Sequence, residues 1–196
     1  MNQTLHGHVI IVMGPTGSGK GTLMRYVRNN VPDLYQTVSC TTRSPRPNEV
    51  DGVDYHFISH ADFQKKIDAG EFLEWAVFSG NRYGTLRSEI LPRLEAGQLV
   101  LTEIEIQGVE QLKSILPASA MTVVYIEAGD WSVLRSRALA RSPISEAELA
   151  KRKERYDIET QAKQIADVII DNTADDFTPA CEEFTYLIKN VQQASS

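Results

Sequence analysis

The chain of 196 residues is 42% hydrophobic and 23% charged, which is enough apolar content for one compact core and too much for a disordered chain. Its net charge of −6 disfavours a general nucleic-acid binder, and no apolar run approaches the roughly 20 residues that a membrane span needs. Two cysteines, Cys40 and Cys181, are too few for a disulfide framework, and the first residues lack the pattern of a signal peptide. We therefore expect a cytoplasmic protein without nucleic-acid or membrane partners.

The first predicted strand, His8–Met13, is a continuous apolar run of the kind that is buried on both faces of a parallel sheet. A glycine-rich turn follows it, and then a predicted helix over Thr22–Asn29. Residues 37–87 change character, with a short helix beginning near Ser59 and three short strand-like pieces: Thr37–Cys40, Tyr55–Ile58 and Phe72–Val77. This part of the chain is typical of an inserted subdomain.

From residue 88 onward, helices and strands alternate again. The predicted helices are Ser88–Ala96, Val109–Ile115, Trp131–Leu139, Glu146–Lys163 and Phe177–Lys189, and the predicted strands are Gln98–Ile104, Met121–Ile126 and Val168–Ile170. This alternation predicts an α/β fold of three layers, in which helices cover both faces of a parallel central sheet.

The turn after the first strand has the composition of a phosphate-binding (P-loop) segment. We call it the phosphate loop, and it reads Gly14, Pro15, Thr16, Gly17, Ser18, Gly19, Lys20, Gly21, Thr22. Glycines let the backbone curl so that successive N–H groups point at one anion, and the helix start adds a partial positive charge. Lys20 adds a full charge that can follow a moving phosphoryl group. We expect this segment to bind phosphate groups.

One position departs from the usual phosphate-loop signature. Gly21 stands where a Ser or Thr normally helps to hold magnesium, and Thr22 comes one place later. Two interpretations remain open: Thr22 takes over part of that role, or the Mg²⁺ ion is held mainly by nucleotide and water. We take Thr22 and Glu103 as the candidate metal ligands.

Two further segments indicate anion binding. The arginine loop, residues 39–55, carries Arg43 and Arg46, which Pro45 and Pro47 stiffen and which can present rigid forks to one phosphate. The basic segment, residues 135–155, holds seven Lys and Arg against three Glu: Arg135, Arg137, Arg141, Lys151, Arg152, Lys153, Arg155, and Glu146, Glu148, Glu154. It indicates either a local anionic ligand or an ordinary solvated helix face.

The arginine loop resembles the acceptor-binding loop of the guanylate kinase family, above all in Thr41-Thr42-Arg43-Ser44-Pro45-Arg46. Other segments resemble the family in the same order: Glu71–Trp75, Gly80–Thr85, Glu103–Gly108, and Arg141 through Arg152 to Glu159. The resemblance covers roughly residues 8–190. It implies a nucleoside monophosphate kinase that transfers a phosphoryl group from ATP to GMP, with Mg²⁺, in purine nucleotide metabolism. The resemblance also implies the fold of that family, in which a GMP-binding subdomain and a short mobile lid are attached to a core.

The resemblance also implies a role for each matching residue. The GMP phosphate would be held by Ser39, Arg43, Arg46, Tyr55 and Tyr83, and the guanine would be read by Glu74, Thr85 and Glu105. The phosphate loop with Lys20 would hold the ATP phosphates. Lys20 would also act with Arg43 and with two lid arginines, Arg141 and Arg152, on the transferring group. The single domain would comprise a core (1–36, 88–140, 153–196), the GMP-binding subdomain (37–87) and the lid (141–152).

Three positions depart from the family pattern. Glu105 stands where the family usually has Asp, and Ser142-Pro143 follow the lid arginine in place of Gly-Thr. Asp171-Asn172 reverses the usual Asn-Asp, and we take Asn172 as the adenine-side residue.

Two rival functions stay open. One is a non-catalytic module of the same family that binds phosphopeptides, for which a degraded phosphate loop would be typical. The other is a kinase of the same fold that acts on another small phosphate. For the enzyme, we expect ATP and GMP as partners and a monomer or homodimer.

Overall fold

The computed structural model describes residues 5–78, 80–141 and 144–194, without the side chain of Arg141. The strands within these ranges are β1 His8–Met13, β2 Tyr35–Gln36, β3 Cys40–Thr41, β4 His56–Phe57, β5 Phe72–Phe78, β6 Asn81–Leu86, β7 Leu99–Glu103, β8 Met121–Glu127 and β9 Val168–Asp171. The α-helices are α1 Lys20–Asn30, α2 His60–Asp68, α3 Arg87–Glu95, α4 Ile106–Ile115, α5 Trp131–Arg141, α6 Glu146–Glu159 and α7 Thr178–Ala194.

The chain has the predicted α/β architecture with a parallel sheet. Strands β1, β2, β7, β8 and β9 belong to one five-stranded sheet, in which β2 pairs in parallel with β7 and β8 in parallel with β9. The central residues of β1 and β8 are inaccessible to solvent. This burial explains their unbroken apolar sequences, because a parallel strand that is covered on both faces has no polar side.

A second sheet of four strands has the order β4-β3-β6-β5. Within it, β6 runs antiparallel to β3 and β5, while β3 and β4 are parallel. Phe63 of α2 stacks on Phe72 of β5 with ring centroids 4.3 Å apart, and both rings pack with Cys40 in a local apolar core. The sequence analysis predicted part of this region but missed β6 and its antiparallel pairing.

The start of α2 follows from local sequence, but the end of α6 differs from the prediction. The Ser59 hydroxyl accepts a hydrogen bond from the Asp62 N–H at 3.0 Å, which caps α2 as predicted. The predicted helix Glu146–Lys163 is shorter, because α6 ends at Glu159 and the chain continues as a 3₁₀ helix over Thr160–Ile165.

The chain divides into two compact units. Of the described residues, one unit comprises those within 5–9 and 34–121, and the other comprises those within 10–33 and 122–194. We refer to them as the arginine-loop unit and the phosphate-loop unit. The predicted division into core, GMP-binding subdomain and lid stays a prediction.

Two expectations about the whole chain concern cysteine and membranes. Cys40 and Cys181 are buried and free, as expected for a chain without a disulfide framework. None of the helices in the described ranges has both the length and the apolarity needed to cross a bilayer.

Candidate active site

The phosphate loop joins β1 to α1 in the phosphate-loop unit. Gly14, Gly17 and Gly19 have φ angles of 145°, 93° and 94°, a region that side chains other than glycine rarely enter. A Cβ on Gly14 would lie 2.6 Å from the Ile126 carbonyl oxygen, so this glycine is also required by close packing. The loop therefore has the tight curl that its sequence predicts.

The start of α1 favours a bound anion. Gly19 occupies the N-cap position and no side chain caps the helix, so its first N–H groups are oriented out of the helix start. The Lys20 ammonium donates hydrogen bonds to the Gly14 and Pro15 carbonyls at 2.7 and 3.2 Å. These bonds hold the cation against the loop, where a phosphate group can replace the carbonyl oxygens as its partner.

Two buried side chains from distant parts of the sequence brace the loop. Asn172, only 1% exposed, donates from Nδ2 to the Ser18 carbonyl at 2.7 Å. A Cβ on Gly19 would lie 2.5 Å from that nitrogen, so Gly19 is what admits the amide. Glu159, 8% exposed, accepts from the Thr16 N–H at 2.7 Å and from the Thr16 hydroxyl at 2.9 Å.

In the other unit, the arginine loop holds the Arg43 guanidinium in a fixed position. The Arg43 guanidinium donates two hydrogen bonds to Glu49, at 2.9 and 3.0 Å, and lies 5.6 Å from the centre of the Tyr55 ring. Glu49 also accepts from the Arg46 N–H at 2.7 Å, although the Arg46 side chain is largely exposed. The bonds to Glu49 raise the pKa of Arg43. Because Glu49 presents a bidentate anion, Arg43 is already aligned for a phosphate.

Two tyrosines lie beside the Arg43 guanidinium. The rings of Tyr55 and Tyr83 meet edge to face at 6.0 Å, and Tyr83, like Glu49, acts to raise the pKa of Arg43. Burial, together with the charge of Glu103, raises the pKa of Tyr55. Its phenol therefore stays protonated at neutral pH and can donate to an anion.

Glu74, Thr85 and Ser39 are three neighbouring polar side chains. Glu74 lies directly opposite Thr85 across β5 and β6, and the polar groups of Thr85 act to lower its pKa. The hydroxyls of Thr85 and Ser39 are 3.1 Å apart. Six predicted acceptor-site residues are thus in two local groups of one unit, Glu74 with Thr85 and Ser39, and Arg43 with its tyrosines. Glu105 lies half-buried at the N-cap position of α4.

The carboxyl group of Glu74 is unusual because it is only 5% exposed. Burial raises its pKa to about 7, even though the polar groups of Thr85 act in the opposite direction. Gly108 of α4 lies against it, and a Cβ on Gly108 would overlap Glu74 Oε2. Near neutral pH this carboxyl can exchange between a neutral form and an anion that accepts two donors.

Helix α4 also holds the strand that carries Glu74. The Gln111 amide accepts from the Trp75 N–H at 3.2 Å and donates to the Trp75 carbonyl at 2.7 Å. Since β5 is an edge strand of the four-stranded sheet, this amide satisfies backbone groups that a neighbouring strand would otherwise pair.

The residues expected to hold magnesium lie in different units. Thr22 is exposed in the first turn of α1, and Glu103 is exposed at the end of β7. Across the described ranges, no three His, Cys, Asp or Glu side chains cluster as metal ligands. A Cβ on Gly21 would meet no atom within 4 Å, so space does not exclude the usual Ser or Thr there. One hydroxyl at the helix start fits an ion whose other ligands are phosphate oxygens and water.

The basic segment is partly structural. Arg137 donates to the carbonyls of Asn172, Thr173 and Ala174 at 3.0 to 3.2 Å, which ties α5 to the loop after β9. Arg152 pairs with Glu148 at 3.1 Å along α6. The Arg141 side chain and Ser142-Pro143 lie outside the described residues, so the predicted lid is described only in part.

Several supporting residues had no assigned role in the sequence analysis: Glu49, Gly108, Gln111, Arg137 and Glu159. Glu49 had a local signal, because a carboxylate three residues after Arg46 in a stiff loop is within reach of both arginines. Glu159 had none, since its partner Thr16 lies 143 residues away in sequence.

Comparisons with known proteins agree on one family. The sequence model described as guanylate kinase matches residues 6–191. A guanylate kinase from Nostoc sp. is 42% identical over 178 residues, which cover 91% of this chain and 87% of the relative. One from Nocardia farcinica is 37% identical over 189 residues, or 95% and 96% of the two chains.

A solved structure shows the same fold. The crystal structure of guanylate kinase from Anaplasma phagocytophilum superposes with a TM-score of 0.76, covers 98% of this chain and 89% of its own, and shares 22% sequence identity. The family match over residues 6–191 and the relatives that are 37–42% identical settle the classification. The chain belongs to the guanylate kinase family.

Proposed function

We propose that this protein transfers the terminal phosphoryl group of ATP to GMP, giving ADP and GDP. The observation that carries the proposal is the buried Glu74 carboxyl, which lies opposite Thr85, whose hydroxyl is in turn 3.1 Å from that of Ser39. In its anionic form the Glu74 carboxyl is an acceptor only, and guanine favours that form because it presents two donors side by side, N1–H and the 2-amino group. Adenine presents an acceptor at N1 and no 2-amino group, so it would leave this buried acceptor unpaired.

The same unit supplies groups for the acceptor phosphate. Arg43 is held by Glu49 and the tyrosines in a geometry that suits a bidentate anion. We assign Arg43, Arg46, Tyr55, Tyr83 and Ser39 to the GMP phosphate, and Glu74, Thr85 and Glu105 to guanine. When the phosphate binds, Arg43 exchanges its carboxylate partner for phosphate oxygens.

The phosphate-loop unit supplies groups for ATP. The loop backbone and Lys20 are assigned to the ATP phosphates, with Thr22 next to the Mg²⁺ ion that accompanies the nucleotide. When bound, this ion neutralises part of the phosphate charge. Asn172 is buried beneath the loop and bonded to Ser18, which supports an action on ATP through the loop. Arg141 and Arg152 are assigned to the transferring group.

The proposed reaction needs no general base, because the acceptor phosphate is already ionised at neutral pH. The requirements are alignment of the two phosphates, compensation of their mutual repulsion and exclusion of water. Fixed cations compensate the repulsion between the two phosphates: Lys20 acts on the transferred group and Arg43 on the acceptor. We propose that the arginines of residues 141–152 reach the reacting group in a closed state.

Neither rival function gains support from the observed residues. A phosphopeptide-binding module does not need a phosphate loop, and here the loop has its glycines, its lysine and two buried braces. A kinase for a small phosphate without guanine would not need a buried carboxyl against Thr85.

A coupled assay of ADP release with ATP and each of GMP, AMP, CMP and UMP tests the proposal. We expect rapid turnover with GMP alone among the four. Turnover with none of them would favour the binding module, and comparable turnover with AMP would refute the guanine assignment.

A further inference from the structure

The contact between Glu159 and Thr16 has no explanation in the binding of substrates. Glu159 is a buried acidic residue whose two carboxylate oxygens bond to one residue of a loop that binds polyanions. A negative charge beside such a loop opposes phosphate binding by Coulomb repulsion. Burial of a carboxylate is also costly unless its oxygens are hydrogen-bonded. The contact is therefore better explained by the geometry it imposes than by its charge.

The position of Glu159 in its helix indicates what that geometry serves. Glu159 is the last residue of α6, and Arg152 lies seven residues earlier in the same helix. Seven residues are close to two helical turns, so the two side chains leave the same face about 10 Å apart along the axis. On the other side of the contact, Thr16 lies four residues before Lys20.

Further contacts fix the same end of α6. The Tyr156 hydroxyl donates to the Gly129 carbonyl at 3.1 Å, and Lys163, in the 3₁₀ segment that continues the helix, pairs with Glu127 of β8. The C-terminal end of α6 is thus held to the sheet, and Glu159 is the point at which this held end meets the phosphate loop. Movement of the loop relative to α6 would break both bonds to Thr16.

We infer that Glu159 is a positioning residue that, through Thr16, sets the phosphate loop in register with the helix that carries Arg152. The inference rests on the proposed phosphoryl transfer, because Arg152 matters only if it acts on the transferring group. In this account Glu159 touches no substrate. Its loss should misalign Lys20 and Arg152 with respect to each other, which slows the chemical step and leaves nucleotide affinity largely unchanged.

Three variants separate this role from a general effect on stability. Glu159→Gln keeps size and one acceptor but removes the charge, and the Thr16 hydroxyl then faces an NH₂ group, from which it can only accept. Thr16→Val removes the hydroxyl donor, whereas Thr16→Ser retains it. Glu154→Gln is the matched control, because Glu154 is an exposed carboxylate on the same helix.

The measurements are kcat and KM for ATP with saturating GMP, the melting temperature, and the slow hydrolysis of ATP without GMP. We expect Glu159→Gln to lower kcat about tenfold or more, the usual effect of losing a hydrogen bond to a charged group. KM for ATP should stay within about threefold. Thr16→Val should lose a few-fold in kcat, and Thr16→Ser and Glu154→Gln should match the wild type. The double variant Thr16→Val, Glu159→Gln should be no slower than Glu159→Gln alone, since both changes break one contact.

Two results would overturn the inference. One is a kcat for Glu159→Gln within about twofold of the wild type, and the other is a double variant whose loss is the product of the single losses. A wild type inactive with ATP and GMP would refute the proposed function instead. In that case the Glu159–Thr16 coupling is still read from ATP hydrolysis, which also depends on the loop.

Discussion

At the scale of single residues, Lys20 is the side chain whose removal most directly tests the phosphate loop. Its ammonium is held by the Gly14 and Pro15 carbonyls, beside the start of α1. Loss of one such electrostatic group costs about 3 kcal/mol in a transition state. We expect Lys20→Ala to lower kcat at least a hundredfold while circular dichroism and melting temperature stay near those of the wild type. A folded variant with near-normal turnover would show that the loop does not bind the transferred group.

The negative charge of Glu74, which is proposed to favour the binding of guanine, is expected to lower the stability of the folded protein. Its pKa of about 7 in the folded protein lies above the ordinary value of 4.5, so folding favours the protonated form. The stability it contributes is fully present below pH 4.5 and is lost as the pH rises towards 7. Above that pH the fold retains a buried charge, which Glu74→Gln removes.

Urea denaturation of the wild type and Glu74→Gln at pH 5 and pH 8 measures this effect. From the pKa difference, the stability of the variant relative to the wild type should improve by about 2 to 3 kcal/mol between the two pH values. The variant should nevertheless use GMP poorly. A stability difference that is the same at both pH values would contradict the raised pKa of Glu74.

At the scale of secondary-structure elements, the junction of β5 with α4 places Glu74. The pairing of β5 with β6 shifts by one residue between Phe72 and Glu74, which is a β-bulge. The bulge buries Phe72, Leu73 and Glu74 in succession, where a regular strand would expose every second residue. Gly108 then leaves room for the carboxyl group.

This packing predicts the effect of Gly108→Ala. The added methyl group must displace the Glu74 carboxyl or Ile104, because both lie within contact of the new atom. We expect kcat/KM for GMP to fall at least tenfold, with a destabilisation of about 1 to 3 kcal/mol and little change in KM for ATP. Glu110→Ala, an exposed position on the same helix, serves as the control. An unchanged kcat/KM for GMP in Gly108→Ala would show that the use of GMP does not depend on the position of the Glu74 carboxyl.

The arginines of α5 and α6 belong to a different step. If Arg141 and Arg152 contact the phosphoryl group only in a closed state, alanine at either position lowers kcat and kcat/KM together. Lys151→Ala, an exposed neighbour, should behave as the wild type. Steady-state kinetics with varied ATP distinguishes the alternative, in which a rise in KM at constant kcat would make both arginines ordinary ground-state contacts.

The elements that sequence predicted well are those in which local pattern and tertiary environment agree. β1 was predicted with the observed bounds, His8–Met13, because its apolar run is buried on both faces. β6 was missed because Asn81, Arg82 and Gly84 do not favour a strand, and its pairing with β3 and β5 overrides that preference. The bulge at Leu73 was equally invisible, since it depends on the partner strand.

The candidate site also contains both residues that the sequence predicted and residues that it could not predict. Glycine spacing alone predicted the phosphate loop, because φ angles near 90° at Gly17 and Gly19 demand glycine. The pairing of Glu74 with Thr85 could be expected only from the family resemblance. Glu159 and Gln111 could not be predicted from pattern, because each acts on a backbone that folding brings to it from far along the chain.

At the scale of the whole molecule, each compact unit carries the residues proposed for one nucleotide. The arginine-loop unit holds the residues assigned to GMP, and the phosphate-loop unit holds Lys20, Asn172 and the arginines assigned to transfer. The net charge of −6 is no obstacle to binding two polyanions, because the cations are concentrated in defined segments. Selection of guanine at Glu74 is therefore the central claim about function.

The most direct test of that claim is the ratio of kcat/KM for GMP to kcat/KM for AMP, with ATP, in the wild type, Glu74→Gln, Glu105→Asp and the exposed control Glu95→Gln. A buried acceptor that pairs only with guanine can reject adenine by about 10⁴-fold. We predict a ratio of that order in the wild type and the control, a ratio at least tenfold smaller in Glu74→Gln because an amide can also donate, and little change in Glu105→Asp. Comparable wild-type values for GMP and AMP, or a Glu74→Gln ratio equal to that of the wild type, would contradict the account.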